Sequence, residues 1–380
     1  MRDLMAITAL DTMSYTVMLA AIPLWQVQSG QAKALAGVYT VAMLVATLIT
    51  QPMVPKLIGR AGTLRVQVGG LVALGVPGPL LGISHSPEID IALSIVRGAG
   101  FGAATVVGGI LGATLVPRDR HGESVGLTGA ASSLASLVFL PAGVALTHAG
   151  HFDVVGWLGF APVLGIYPAV LLHRAPRWAL ELGSSRRQGR QSLKAIASVT
   201  VSLFVVTMAL GAVSSYLPID APTALTATTG LFGMGGAAVL ARSLVGRLVD
   251  RKGTAKVLPV ATVLTASGIL MVAASLFSRS TAAEVAVVAG CVVLGAGCGA
   301  VQTSTMVAAF AKVPQASIST ASAAWNFSYD IGTALGVSVM SLSVAVQLGI
   351  PGGFSVVGLA VLLTIPAGRR SGRLRSRGRI

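Results

Sequence analysis

Three charged side chains, Asp11, Arg97 and Asp330, stand inside long apolar stretches of this sequence. A charge near the middle of a bilayer costs at least ~2.5–3.5 kcal/mol, and residues that bear that cost usually line a cavity or a pathway. The chemistry open to them is charge compensation and proton transfer. A carboxyl balanced between burial, which favours its neutral form, and a nearby cation, which favours its charged form, can load and release a proton near neutral pH. Asp11 is the first candidate for such a carrier; the alternative is that it lies only ~10 Å inside one face, at 1.5 Å per residue, and is solvated there. Asp330 shares one helix face with Ser322, Asn326, Tyr329 and Thr333. It either binds a proton, or counters a cationic ligand, or belongs to a packed hydrogen-bonded network. Arg97 either pairs with Asp11 or steadies a bent helix.

The elements that must position these residues follow from composition. Apolar residues make up 54% of the chain and charged ones 10%, against ~25% charged in a soluble domain. A soluble chain of this length could not cover its surface with so little charge, so a multi-pass membrane protein is expected. A bilayer core takes ~20 apolar residues per helix. On that rule twelve spans are predicted, at 4–25, 34–54, 64–84, 89–115, 123–147, 154–173, 194–218, 224–246, 255–278, 284–311, 317–345 and 350–368. The first begins almost at Met1, which leaves no room for a cleavable leader. The net charge of +15 could suggest a nucleic-acid partner, but its placement follows topology instead. With both termini on one side, all but Lys33, Arg279, Arg97 and Arg242 of the 27 Lys and Arg fall on that side. Glu88, Asp90, Asp153 and Asp220 fall on the other. Basic loops stay cytoplasmic, so both termini are expected inside and no nucleic-acid role is expected. Cys291 and Cys298, seven apart in an apolar run, fit small packing residues better than a disulfide or a metal site.

The chain also repeats. Gly59-Arg60-Ala61-Gly62-Thr63-Leu64-Arg65-Val66 is echoed 191 positions on by Asp250-Arg251-Lys252-Gly253-Thr254-Ala255-Lys256-Val257. Gly98-Ala99-Gly100-Phe101-Gly102-Ala103 returns after 197 positions as Gly295-Ala296-Gly297-Cys298-Gly299-Ala300, and Val116-Pro117 returns at the same offset as Val313-Pro314. Ile22-Pro23-Leu24 and Leu217-Pro218-Ile219 close the first spans of the two halves in similar fashion. The expected plan is a pseudo-symmetric pair of six-helix bundles over 1–173 and 194–368. A basic cytoplasmic linker at 174–193 joins them, and a basic tail at 369–380 follows, with six arginines. The glycine runs sit inside apolar spans, where they let helices approach closely, and are not phosphate-binding loops.

Twelve helices in a six-plus-six repeat, with basic turns after the second helix of each half, resemble the major facilitator superfamily. Its signature for that turn runs Gly-x-x-x-Asp-x-x-Gly and ends on a basic residue. Gly246, Asp250, Gly253 and Lys256 fit the outline. In the first half Gly59 stands where the family has the Asp, while Arg60, Gly62 and Arg65 match. The family uses the turn to latch a cytoplasmic gate, so the resemblance implies a gating role for Arg60, Gly62, Arg65, Gly246, Arg247, Asp250, Arg251 and Gly253, with Arg242 placed alongside Asp250. Leu10-Asp11-Thr12-Met13 with Pro23, and Arg97 before Gly98, Gly100 and Gly102, are similar to the first and fourth helices of the drug/proton antiporter branch. That branch carries Gly-Pro-x-x-Gly-Gly in its fifth helix. This chain departs from it with Leu140-Pro141-Ala142-Gly143-Val144-Ala145.

The resemblance implies proton-coupled export of small lipophilic or cationic compounds by alternating access, with coupling at Asp11, Arg97 and Asp330. It also implies a substrate site near the midplane between the halves. Tyr15, Met18, Tyr216, Gln302, Asn326 and Tyr329 are the candidate contacts, since Met and aromatic side chains offer an adaptable apolar surface. A narrow-specificity metabolite or siderophore transporter of the same fold is the alternative. An integral-membrane enzyme would need clustered acids or a nucleophile with its base, and the spans hold no Asp-rich pair, His cluster or nucleophile motif. No catalytic centre, metal or cofactor is therefore expected. A non-transporting sensor is the remaining reading. The expected setting is the inner (plasma) membrane, with the bilayer, protons and a small molecule as partners and the protein as a monomer.

Overall fold

The computed structural model describes residues 1–83, 86–116, 121–174, 186–278, 280–313 and 318–364. The loop at 118–120, the end of span twelve at 365–368 and the tail at 369–380 lie outside the described residues, as do His85, Pro117, Arg177, Arg279 and Pro314. So do the side chains of Asp250, Arg186, Arg187 and Arg190. All elements among the described residues are helical. They are α1 Arg2–Gln28, α2 Lys33–Ala61, α3 Thr63–Ile83, α4 Pro87–Thr114, α5 His121–His148 and α6 Phe152–Arg174 in an N-terminal unit, Met1–Leu182. A C-terminal unit, Gly183–Ile380, holds α7 Arg186–Asp220, α8 Ala224–Lys252, α9 Thr254–Ser275, α10 Thr281–Ala311, α11 Ile318–Ala345 and α12 Gly349–Leu363. Eleven of these helices are long and apolar enough to cross a membrane, and α12 is apolar with 15 described residues.

Helix starts follow the local chemistry of the sequence. Ser86, Thr223 and Ser280 accept hydrogen bonds from the backbone N–H groups of Ile89, Thr226 and Ala283, capping α4, α8 and α10. Three boundaries differ most from expectation, one of them the end of α8, which runs six residues past 246 to Lys252. Helix α2 runs on to Ala61 instead of closing at Pro55, because Pro52 and Pro55 each open a new helical segment, where a missing N–H is tolerated. Helix α7 starts at Arg186, inside the stretch read as linker. Arg, Gln and Lys are good helix formers, and hydropathy finds only the part of a helix that sits in lipid.

The turns at the two echoes are the same object. Gly62 (φ 84°, ψ 154°) and Gly253 (φ 79°, ψ 150°) each end one helix and begin the next. Their N–H groups donate to the carbonyls of Ile58 and Val249, both at 2.8 Å. A positive φ at a single-residue joint is open to glycine and strained for any residue with a Cβ.

The glycine runs are contact points, in matching places. A Cβ on Gly98 would strike the Met43 carbonyl, and one on Gly295 the Met234 carbonyl. Gly100 lies against Gly70 and Leu74 as Gly297 lies against Ala261 and Thr265. Gly102 meets Thr47 as Gly299 meets Ala238. The partners on α2 and α3 recur at 191 positions and the glycines at 197, so the change of register falls in the connection between α3 and α4. Gly143 on α5 meets the Val17 carbonyl on α1, and Gly336 on α11 meets the Met208 carbonyl on α7. The fifth helix therefore makes its close approach through Gly143 and not through the antiporter glycine positions. Since Val17 corresponds to Met208, Pro23 corresponds to Ser214. The Pro23 and Pro218 echo is thus one turn out of register, and its resemblance is local.

Candidate functional site

In the N-terminal unit the polar residues converge where two helices break. Helix α3 is interrupted at Val76 before Pro77, and α6 changes at Phe160 to a 3-10 stretch, Ala161–Gly165. Such breaks leave carbonyls without helical partners, and in lipid each must be satisfied from within the protein. Ser14 Oγ donates to the Gly159 carbonyl at 2.7 Å. Arg97, wholly buried, donates from Nη1 to the Leu74 carbonyl at 2.8 Å and from Nη2 to the Ser14 carbonyl at 3.0 Å and Ser14 Oγ at 3.2 Å. One guanidinium and one serine thus tie α1, α3, α4 and α6 together. The planar fork of arginine, with fixed donors, suits several acceptors at once.

Asp11 sits one turn before Ser14 on α1. It is buried, and its Oδ1 has no hydrogen-bond partner. No hydrogen bond or ion pair joins it to Arg97, whose Nη1 and Nη2 donate to carbonyl and hydroxyl oxygens while Nε is buried without a partner. Of the two roles read for Arg97, the contacts follow the second, that of steadying a bent helix. Beside it Tyr15 stacks on Phe101, with centroids 4.6 Å apart and planes 8° apart. Met18 lies in the core against Gly159, in a cluster with Val17, Ile22, Tyr39, Leu81 and Phe152.

In the C-terminal unit a second cluster spans α8, α10 and α11. The Arg242 guanidinium donates to Gln302 Oε1 and lies within electrostatic reach of Tyr329 and Cys298. Sequence reading placed Arg242 with Asp250, eight residues and about 12 Å along the same helix. The partner it missed is on another helix. Trp325 donates from Nε1 to Thr305 Oγ1 at 3.1 Å and stacks on Tyr329 at 5.9 Å. Asp330 is buried in the same stretch of α11, and Asn326 donates to the Ser322 carbonyl at 3.0 Å. Tyr216 is wholly buried with its hydroxyl 2.7 Å from Ser341 Oγ, so it serves the packing of α7 on α11. Arg60, Arg65, Arg247 and Arg251 stand at the basic turns, and all four are exposed. Cys291 and Cys298 are buried free thiols. No group of three or more His, Cys, Asp or Glu that could hold a metal is found among the described residues.

Residues 4–337 match the Major Facilitator Superfamily. The chain belongs to this superfamily. Solved structures with the same fold include a point mutant of the E. coli fucose:proton symporter FucP, 15% identical, covering 98% of both chains, with a TM-score of 0.64. They also include a point mutant of the nucleoside transporter NupG, 9% identical, covering 97% of this chain and 99% of that one, at 0.73. A third is the human organic anion transporter MFSD10 (TETRAN), 13% identical, covering 97% and 98%, at 0.68. Comparison with curated protein sequences finds no match. At these identities the likeness speaks for the fold. The chain is thus a multi-pass integral membrane protein of a transporter superfamily, not an enzyme.

Sequence reasoning missed Ser14 as the hub of the N-terminal site, and the carbonyls of Leu74 and Gly159. The signal was present in Pro77 and Pro162, each of which breaks a helix and frees an acceptor. It also missed Trp325 and its pairing with Thr305, a member of the polar patch at 302–305, since that contact exists only once the helices are packed.

Proposed function

We propose that this protein is a proton-coupled secondary transporter that exports small lipophilic or cationic compounds by alternating access. The inner membrane is the setting, both termini are cytoplasmic and the protein works as a monomer. Asp11 is the proton carrier and Asp330 an accessory. The observation that carries the reading is the Asp11 carboxyl, buried on α1 with Oδ1 unpartnered, while the buried Arg97 of the same unit is committed to backbone oxygens. An ionised carboxylate in that position is costly without a partner, and taking up a proton removes the charge. Arriving from outside, the proton weakens substrate binding in the outward state; its release inside resets the cycle. Arg97 positions Asp11 through Ser14 and carries no proton itself. Tyr15, Asn326, Tyr329 and Gln302 supply the substrate surface, and the turns at Gly62 and Gly253 gate it.

The test is accumulation of a fluorescent lipophilic cation in cells stripped of their own pumps. Wild type, Asp11→Asn and Asp330→Asn are compared with and without a protonophore. Lower accumulation in wild type, abolished by the protonophore and by Asp11→Asn, is the expected result. Wild type indistinguishable from empty vector, with expression confirmed, sinks polyspecific export.

One observation favours a second reading, a transporter of narrow range for a polar metabolite. Arg242 and Gln302 form a fixed donor and acceptor array beside Tyr329, which suits one hydrogen-bonding group better than a spectrum of lipophilic cations. The solved neighbours include proteins named for fucose, nucleosides and organic anions. A single compound transported, out of a panel of sugars, nucleosides, organic anions and cations, would select this reading.

A further inference from the structure

A second polar cluster lies at the other end of the N-terminal unit, away from Asp11, and neither coupling nor gating uses it. Asp90, in the first turn of α4, is 2% exposed. Its Oδ2 accepts a 2.7 Å hydrogen bond from Gln26 Nε2 on α1, and its Oδ1 is buried without a partner. Ser94, one turn further along the same face, is 1% exposed and its hydroxyl is also without a partner. Tyr39 on α2 is within electrostatic reach of Asp90 and of Glu88, whose own carboxylate accepts from Ser86 Oγ at 2.6 Å.

Three features separate this cluster from ordinary helix packing. First, a serine or threonine in a helix usually bonds the carbonyl one turn back, as Thr16, Thr47, Thr147 and Ser355 do here. Ser94 does not. Second, a buried carboxylate is normally paired with a cation or coordinates one, and the one hydrogen-bond partner of Asp90 is a neutral amide. Third, the fold does not need polar residues there. In the register set by the glycine contacts, Gln26, Tyr39, Asp90 and Ser94 correspond to Leu217, Gly230, Val287 and Cys291. At the corresponding place in the C-terminal unit a Cβ on Gly230 would lie 3.2 Å from Cys291 Sγ and 3.5 Å from Leu217 Cδ2. The same geometry is thus filled by apolar residues, all buried, in the other half. It also shows that these positions on three helices face a common point.

We infer that Asp90, Ser94 and Gln26 form a site for a small monovalent metal cation of the sodium class. All its ligands would be oxygens, Asp90 Oδ1, Ser94 Oγ and the Gln26 amide oxygen, as hard cations require. Such a cation sits about 2.3–2.6 Å from each oxygen, which at right angles sets two of them roughly 3.2–3.7 Å apart, at the outer edge of hydrogen-bond range. That agrees with the failure of Asp90 Oδ1 and Ser94 Oγ to bond each other. One carboxylate balances one positive charge, which selects a monovalent ion over a divalent one. The site stands apart from the proton-coupling reading at Asp11 and survives or fails independently of it.

The experiment measures thermal unfolding and tryptophan fluorescence of the full chain in detergent, with a Trp25→Phe variant subtracted to isolate the Trp25 signal among the four tryptophans. Trp25 precedes Gln26 and stacks on Phe152 at 4.8 Å, so it reports on this point. Sodium chloride is titrated against N-methylglucamine chloride at constant ionic strength and constant pH, with a separate pH titration lacking sodium. A bound ion raises the unfolding temperature by mass action. The expected result is a saturable rise in unfolding temperature and a saturable fluorescence change with sodium. Both are retained in Asp11→Asn and lost in Asp90→Asn. Ser94→Ala keeps the charge and raises the half-saturating sodium concentration roughly tenfold, so it decides the matter if Asp90→Asn does not fold. An equal response to N-methylglucamine, a response that persists in Asp90→Asn, an unshifted Ser94→Ala, or a response to pH alone would overturn the assignment.

Discussion

Arg97 Nη2 holds the carbonyl and hydroxyl of Ser14 at 3.0 and 3.2 Å, one turn from the Asp11 carboxyl that sequence reasoning offered as its partner. The relationship makes Arg97 a tie between broken helices and leaves Asp11 to change its charge without dismantling that tie. Hydrogen bonds from a charged donor contribute about 1.5–3 kcal/mol each. Arg97→Gln should therefore lower the unfolding temperature markedly and reduce transport with it. Arg97→Lys should recover only part, because one ammonium cannot match the fork. Thermal unfolding of purified variants checks this, and an unfolding temperature for Arg97→Gln within about a degree of wild type, far below what such bonds imply, would refute the tie.

Asp11→Asn should do the reverse. An amide is nearly isosteric with the carboxyl and no bond to Arg97 is lost, so stability should stay near wild type. Dependence of transport on the pH gradient should vanish. Flux in proteoliposomes with and without an imposed gradient, beside unfolding curves, separates the two effects.

The glycine contacts predict a contrast within one helix. Gly98→Ala would drive a methyl into the Met43 carbonyl, whereas a methyl added at Gly108 or Gly109 on α4 would meet nothing within 4 Å. Overpacking costs typically about 1–3 kcal/mol, and Ala favours a helix over Gly by about 0.8–1.0 kcal/mol. Gly98→Ala and Gly295→Ala should both destabilise, while Gly108→Ala and Gly109→Ala should be neutral or stabilising. Differential scanning fluorimetry on the four variants reads the sign directly.

At the joints, Gly62→Ala and Gly253→Ala force a Cβ into a positive-φ conformation at a cost of about 1–3 kcal/mol. Equal penalties are expected, since the two backbones differ by only a few degrees. If gating runs through these turns, both should also slow transport while leaving substrate affinity within about twofold, a change of under ~0.5 kcal/mol. A loss of affinity as large as the loss of rate would move the effect away from the gate.

Arg242→Lys distinguishes the two readings of substrate range. A narrow transporter that uses the Arg242 and Gln302 array should lose most of its affinity, and a polyspecific one little. Competition binding on the purified protein gives the ratio.

Composition and local pattern were enough to set the class of this protein and much of its plan. Apolar runs of membrane length arise from composition alone, so most helices lie where hydropathy puts them. The repeat was legible because each echoed glycine answers a local demand, a positive φ at Gly62 and Gly253 or a close helix approach at Gly98 and Gly295. Which polar groups meet was settled only by packing. Arg97 reaches across to α1 and α3, Arg242 to α10, and Asp90 to Gln26 on α1, in each case over tens of residues of chain. A helical period tells which residues share a face but not which face of another helix they will meet. In a membrane the partners are chosen where Pro77 and Pro162 free a carbonyl that must find a donor, and that choice exists only once the helices are packed.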